Sequence, residues 1–351
     1  MFRKQFKWII YFAAPLVLLA IPFSGGINLK KYFQTIILQP QKTGISTFNF
    51  YDAERDRPLT TEIWYPIDLD TPAESATGVW IRCDEAREAT LSTKKEKYPL
   101  IVISHGNRGD RFNISWLAEV LSANGYIVAA MDHYGNTWNN VIPKCCATPW
   151  ERPKDVSFVL DQILTASPFK DRIDQSRIGF AGYSLGGATG IWIAGAQTNE
   201  KDVDSMRMAC TMELSDIVSD ELLDGIDFTQ ACHSFRDKRF TAMFVMAPAL
   251  GWLFDEKSLE SIDIPVYIIA PVKDAVVPFE SNAQILSKKI TRSTLMVLSG
   301  DETHFVFLNR ASKFGKRFLN AKYCEDPLTI DRKSIHDKVA KTAVEFFQEH
   351  F

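Results

Sequence analysis

The sequence carries no excess of charge of either sign. Forty lysines and arginines face 43 aspartates and glutamates, a formal net charge of −3, so it offers neither the basic field that nucleic acid needs nor an acidic tail. It shows no internal repeat and no low-complexity tract. Its six cysteines include no C-x-x-C pair, which removes the usual thiolate metal and redox motifs. Cys83, Cys145, Cys146, Cys210, Cys232 and Cys324 are even in number, and in an oxidising compartment some of them would pair. A bridge from Cys210 to Cys232, closing a polar excursion, is the preferred pairing; inert buried thiols are the alternative.

What is present begins at the N-terminus. "MFRKQFK" is cationic, Trp8 to Phe23 is uninterrupted and apolar, and Ser24, Gly25 and Gly26 are small. That order is the plan of a secretory signal. The apolar run is slightly short for a spanning helix, yet Phe6 and flanking residues extend it toward one. Residues 1–26 are therefore expected to be a signal peptide or an N-terminal membrane anchor. The domain behind them is expected outside the cytoplasm, periplasmic or secreted if the segment is cleaved and membrane-anchored otherwise.

Past that segment, "GISTFNFYD" and "LTTEIWYPID" have the β-branched and aromatic content of an opening strand pair. Residues from about 68 to 97 are polar without an apolar period and read as a surface loop. From "YPLIVISHG" onward, apolar strands ("LIVIS", "YIVAAMDH", "RIGFAG") alternate with amphipathic helices ("WLAEVLSANG", "PKDVSFVLDQIL"). Consecutive apolar positions are expected of parallel strands covered on both faces, and the alternation is that of right-handed crossovers. It pauses between about 198 and 236, a cap-like insertion, and resumes through "FTAMFVMAP", "IPVYIIAPVKD", "STLMVLSG" and a C-terminal helix from about Ser334 to Glu349. The expected fold class is thus α/β, one domain over 44–351 with a mostly parallel central sheet and helices on both faces.

Within that alternation, Gly182-Tyr183-Ser184-Leu185-Gly186 satisfies G-x-S-x-G between a strand and a helix. A serine on such a turn stands exposed at the carboxyl edge of a sheet, and the flanking glycines allow the tight backbone packing this requires. The same position is also where a serine would simply cap the helix. A hydroxyl is a poor nucleophile unless a base lies within hydrogen-bonding reach and a third group orients that base. Of six histidines, His304 follows the last strand and is the base chosen; His105 and His133 follow earlier strands, His233 lies in the insertion, and His336 and His350 sit on the final helix. In the chain order Ser, acid, His, the acid falls at the end of a strand, which selects Asp274. Asp301, Glu302, Asp255 and Glu256 are the alternatives. A developing oxyanion would take the N–H of Leu185 and, from "SHGNRG", that of Asn107, with Gly106 and Gly109 permitting an unusual backbone path. "APALGWLF" and "HFVF" place Trp252, Phe254 and Phe305 where an acyl chain could lie, against the alternative that these aromatics are core.

With these residues placed, the chain resembles the α/β-hydrolase superfamily, and within it the bacterial "predicted dienelactone hydrolase" group related to platelet-activating-factor acetylhydrolases. The similar phrases are "DRPLTTEIWYP", "PLIVISHGNRGDR", "NGYIVAAMDHYGN", "RPKDVSFVLDQIL", "GYSLGG", "PVYIIAPVKDAVVP" and "CEDPLTIDR", spread over roughly residues 46–347. The resemblance implies an α/β-hydrolase fold and a serine hydrolase acting on carboxylic esters through an acyl-enzyme, with Ser184, Asp274 and His304 as triad and neither metal nor organic cofactor. Dienelactone hydrolases use a cysteine nucleophile, so the lactone substrate does not carry over to Ser184. Asn107 and Arg108 stand where relatives often carry small apolar residues.

The expected partner is a small-molecule ester with a short or medium acyl group, lipid-derived esters included, and no nucleic acid. A peptidase or amidase on the same triad, and a non-catalytic binding protein on a hydrolase scaffold, are the competing readings.

Overall fold

The computed structural model describes residues 35–351; the expected signal or anchor, residues 1–26, lies outside the described residues. Residues 36–351 form one compact unit. Two strands open it, β1 (Lys42–Asp52) and β2 (Arg57–Tyr65), paired antiparallel through the turn in which Asp52 meets Arg57. The stretch read as a polar loop supplies a short edge strand, β3 (Asp84–Arg87), parallel to β1. Its signal is invisible to periodicity because only Glu85 and Ala86 in it are buried.

The remaining sheet strands are β4 (Tyr98–Ser104), β5 (Ile127–Met131), β6 (Ile173–Tyr183), β7 (Ala242–Met246), β8 (Val266–Pro271) and β9 (Ser293–Leu298). The sheet of nine runs in the order β9-β8-β7-β6-β4-β5-β2-β1-β3, parallel from β9 through β5 and antiparallel where β5 meets β2. β4, β5 and β7 are buried at every position, which is why they read as continuous apolar runs.

Alternate side chains of each strand feed two cores. Leu100, Val102, Ile178 and Phe180 pack on one face under helices α2 (Glu151–Thr165) and α3 (Leu185–Ala194). Ile101, Ile103, Val128 and Ala181 pack on the other under α1 (Ser115–Ala123) and the C-terminal helix, Arg332–His350. Burying a leucine- or isoleucine-sized side chain stabilises by about 1.5–3 kcal/mol before chain entropy is subtracted, so these two layers hold the sheet rigid beneath its loops.

Residues 198–236 contain helices Val203–Glu213 and Asp220–Asp224. They enclose a third cluster, in which Met206, Cys210, Leu214 and Phe228 meet Cys146, Ala147 and Trp150. Cys210 and Cys232 do not pair; all six cysteines are free. The turn Phe228–Cys232 buries Phe228 and Ala231 and leaves Cys232 only half-buried, while the Cys210 thiol faces the carbonyl oxygen of Ala147 at 3.8 Å.

Glu119 on α1 is buried, and its carboxyl accepts the Cys83 N–H at 3.2 Å. Burial pushes this carboxyl up to about 7. The unfolded chain ionises it near the ordinary glutamate value whereas the folded chain holds it neutral, so its contribution is full below that value and is lost as pH rises through about 7. Glu119→Gln is expected to remove this loss, raising stability at pH 8 by on the order of 2 kcal/mol while changing little at pH 4. Thermal denaturation at the two pH values reads it; equal gains at both would contradict the assignment.

Candidate active site

The parallel strands end at one edge, and that edge collects the loops on which the chosen residues lie. β6 delivers Tyr183 to a sharp turn; Ser184 follows at φ 56°, ψ −119°, and α3 begins at Leu185. A serine at positive φ is a strained conformer costing about 1–3 kcal/mol. It is held because its N–H donates to the Met246 carbonyl at the end of β7 (2.9 Å) and its own carbonyl accepts from Ala249 (3.1 Å).

Ser184 occupies the N-cap position of α3, yet its side chain makes no capping hydrogen bond. Its Oγ lies 2.9 Å from His304 Nε2 instead. His304 Nδ1 lies 2.6 Å from Asp274 Oδ2. The other carboxylate oxygen, Oδ1, accepts the N–H groups of Val276 (2.9 Å) and Val277 (2.7 Å). All three side chains are buried, at 7%, 3% and 5% exposure for Ser184, His304 and Asp274, so water competes little for these bonds. Tyr183 Oη donates to the His304 carbonyl at 3.0 Å, fixing the short helical turn His304–Phe307 that carries the imidazole.

Three of the other acids considered are engaged elsewhere. Asp301 pairs with Lys273 at 2.6 Å, Glu256 pairs with Lys289 at 2.6 Å, and Asp255 caps its own short helix through Ser258 N–H at 2.9 Å. Glu302 is buried with Oε2 unpartnered.

The loop after β4 meets the serine turn through glycines. A Cβ on Gly106 would stand 3.3 Å from Ser184 Cβ, and one on Gly186 would overlap the Ser104 carbonyl oxygen. Close approach, rather than an unusual φ, is what these glycines permit. The unusual backbone path expected of Gly106 and Gly109 is taken by Arg108, at φ 50°, where Asn136 Oδ1 accepts the Arg108 N–H at 2.8 Å. Asn136 also donates to the Asn107 side chain at 3.0 Å. The backbone N–H groups of Asn107 and Leu185 have no acceptor among the described residues. Arg108 reaches the insertion, forming a two-pronged ion pair with Asp216 at 2.7 and 2.8 Å.

The three aromatics part company. Phe305 is half-buried with its ring edge-on to His304 (5.4 Å) and to Tyr323 (4.9 Å). Trp252 is half-buried against the insertion cluster. Phe254 is a correction: it is buried in the core with its ring 5.3 Å from Trp192, the packing role that aromatic residues usually take.

Sequence reasoning passed over a polar cluster beneath this loop, formed by Ser104, His105, His133, Arg152 and Asp155, all buried. One signal was available. Arg152 and Asp155 fall on the same helical stripe as Val156, Val159, Leu160 and Ile163, and a charge on a buried stripe needs a reason. His336, on the final helix, is buried and stacked on Trp116 at 4.0 Å.

A ferulic acid esterase from Streptomyces cinnamoneus superposes with a TM-score of 0.63 over 89% of this chain and 91% of that one, at 20% identity. The chain has the α/β-hydrolase fold. In this hydrolase fold, residues 73–140 also match the family described as platelet-activating factor acetylhydrolase, isoform II, in line with the group named from sequence. "Cutinase est1" of Thermobifida alba is 31% identical over 225 residues, 64% of this chain and 56% of that protein. "Cutinase est2" of the same organism is 31% identical over 106 residues, 30% of this chain and 32% of that one. The chain thus spans about half or less of the length of the curated relatives it matches. Among the described residues of this hydrolase fold, no helix is long and apolar enough to cross a membrane.

Proposed function

We propose that the protein is a serine hydrolase of carboxylic esters, with Ser184 as nucleophile, His304 as general base and Asp274 as the acid that orients it. The observation that carries this reading is the direction of the Ser184 hydroxyl: at a helix N-cap, where it could satisfy a backbone N–H, it turns to His304 Nε2. In the reaction, Oγ attacks the ester carbonyl while its proton passes to Nε2, and the Asp274 carboxylate stabilises the imidazolium. The carbonyl oxygen becomes an oxyanion facing the N–H groups of Leu185 and Asn107. Collapse breaks the bond to the alcohol, which leaves with the proton from Nε2. Water then repeats the sequence on the acyl-enzyme and frees the acid.

Three comparisons favour esters over amides, since the matched proteins are named cutinases, a ferulic acid esterase and a platelet-activating factor acetylhydrolase family. The substrate is a small-molecule ester with a short or medium acyl group, lipid-derived esters included, and Phe305 beside His304 supplies apolar surface for it. The cationic and apolar order of residues 1–26 supports export, with the domain outside the cytoplasm whether that segment is cleaved or retained as an anchor.

A panel of p-nitrophenyl esters and p-nitroanilides, run beside fluorophosphonate labelling, tests the proposal. Ester turnover with one label per chain on Ser184 is expected, and anilide turnover at least ~10²-fold slower. Comparable rates on anilides would make it an amidase, and a folded chain that takes no label at Ser184 would make it a binding protein on this scaffold.

A further inference from the structure

Arg152 stands in the first turn of α2 at 1% exposure. No carboxylate approaches its guanidinium within ion-pair distance among the described residues. Of the acids near it in sequence, Glu151 pairs with Lys154 (2.6 Å) and Arg55 (3.3 Å), and Asp155 is taken by Arg57 (2.7 Å), by Arg55 (3.0 Å) and by His133 Nδ1 (3.0 Å). Nη2 of Arg152 donates to the His105 carbonyl and approaches Ser104 Oγ at 3.5 Å, while Nε and Nη1 have no partner. Burial pulls this guanidinium down to about 9. A buried cation with no counter-ion of its own is costly, and its place in the fold says what keeps it.

The loop it holds is the one that carries Asn107. His105 Nε2 accepts the His133 backbone N–H at 3.2 Å, so the ring proton sits on Nδ1 and is donated to the Gly106 carbonyl at 2.7 Å. Gly109 N–H donates to that same carbonyl at 3.2 Å. No peptide bond among the described residues is cis, and in a planar trans peptide the N–H points opposite to the C=O. Pinning the Gly106 carbonyl inward therefore aims the Asn107 N–H outward, on the side where Gly106 approaches Ser184. The preceding peptide is pinned by Arg152 through the His105 carbonyl. Beside it, Asp155 accepts from His133 Nδ1–H, and His133 Nε2 in turn accepts from Ser104 Oγ at 2.9 Å. Burial pushes both imidazoles well below the ordinary histidine value, with the Arg152 charge adding to the effect, so both stay neutral and keep these tautomers.

We infer that Arg152 is a positioning residue of the oxyanion site: it fixes the His105 peptide and, through it, the Asn107 donor, and it places a buried positive charge without a direct ion-pair partner behind the forming oxyanion. The inference rests on the proposed roles of Ser184 and Asn107. Arg152 touches no substrate, so its effect is expected in kcat and not in KM. A phosphonate label counts competent sites, and a boronic acid, which forms an anionic tetrahedral adduct on a nucleophilic serine, reports the oxyanion site separately.

Arg152→Met is expected to lower kcat per labelled site by roughly 10²-fold, to leave KM within threefold, and to weaken boronic acid inhibition in parallel with kcat. If Arg152 only supports the fold, R152M loses thermal stability while kcat per labelled site and boronate affinity stay within threefold of wild type, and that result overturns the inference. Should R152M not accumulate as folded protein, Arg152→Lys decides, because a buried ammonium loses its proton at lower pH than a guanidinium. The charged or titratable groups facing this position are His105, His133, Asp155, Arg57 and Cys146. R152K is expected to be active near pH 6 and to lose kcat as pH rises toward 9 at constant KM; a profile superimposable on wild type overturns the inference. Failure of the underlying reading looks different: the wild type would not turn over esters, or Ser184→Ala would keep turning them over.

Discussion

Ser184→Ala is expected to lower kcat on a p-nitrophenyl ester by roughly 10⁶-fold, His304→Ala by a similar factor, and the double variant no further than either alone. The non-additivity follows from the geometry. Once Oγ is gone, the imidazole 2.9 Å away has no proton to take, and once the imidazole is gone the hydroxyl is left without a base. Asp274→Asn should cost roughly 10⁴-fold for a more specific reason. Oδ1 accepts the N–H groups of Val276 and Val277, so the amide oxygen of an asparagine must take that place and its NH₂ must face His304 Nδ1. That donor forces the imidazole proton onto Nε2, where it meets Ser184 with a donor instead of an acceptor. Steady-state kinetics on folded variants, with enzyme counted by protein concentration, measures all four. A double variant ten times slower than either single one would show that serine and histidine act separately.

What was legible in the sequence is what depends on order along the chain. Strand, "GYSLGG" and helix are contiguous, so the turn at Ser184 could be read locally, and Asp274 and His304 follow from their places after the last two strands. The burial of β4, β5 and β7 on both faces was legible for the same reason, since parallel strands covered on both sides carry no alternation. What depends on where separate segments meet was not. Nothing local tells that Cys232 turns outward while Ala231 turns in, or that Phe254 goes to Trp192 rather than toward the site. Arg152 is the sharpest instance. In sequence it is an arginine before a proline at a helix start, the ordinary place for a solvated charge, and only the fold brings it beneath His105.

The glycine after the serine offers the largest effect outside the three chemical side chains. A Cβ on Gly186 would overlap the Ser104 carbonyl oxygen, approach its carbon at 2.6 Å and approach the His105 carbonyl oxygen at 2.8 Å. These are backbone atoms at the end of β4, a strand buried on both faces between β5 and β6, and no side-chain rotamer can relieve the contact. Gly182, on the other side of the serine, is as tightly placed, with the Gly186 carbonyl carbon 2.5 Å from where its Cβ would be. Gly186→Ala is therefore expected to destabilise the fold by roughly 3 kcal/mol, at the upper end of what overpacking costs, because the strain falls on backbone. The population that does fold must push α3 away from the loop carrying His105 to Asn107, so its two N–H groups, those of Leu185 and Asn107, would no longer converge on one oxygen. Loss of one such donor alone costs roughly 10²- to 10³-fold in kcat. The variant should thus combine a lowered denaturation midpoint with at least a 10²-fold lower kcat per labelled site, while still taking a label on Ser184. A folded G186A with wild-type kcat would mean that the approach of α3 to the β4 loop is not what sets the distance between the two donors.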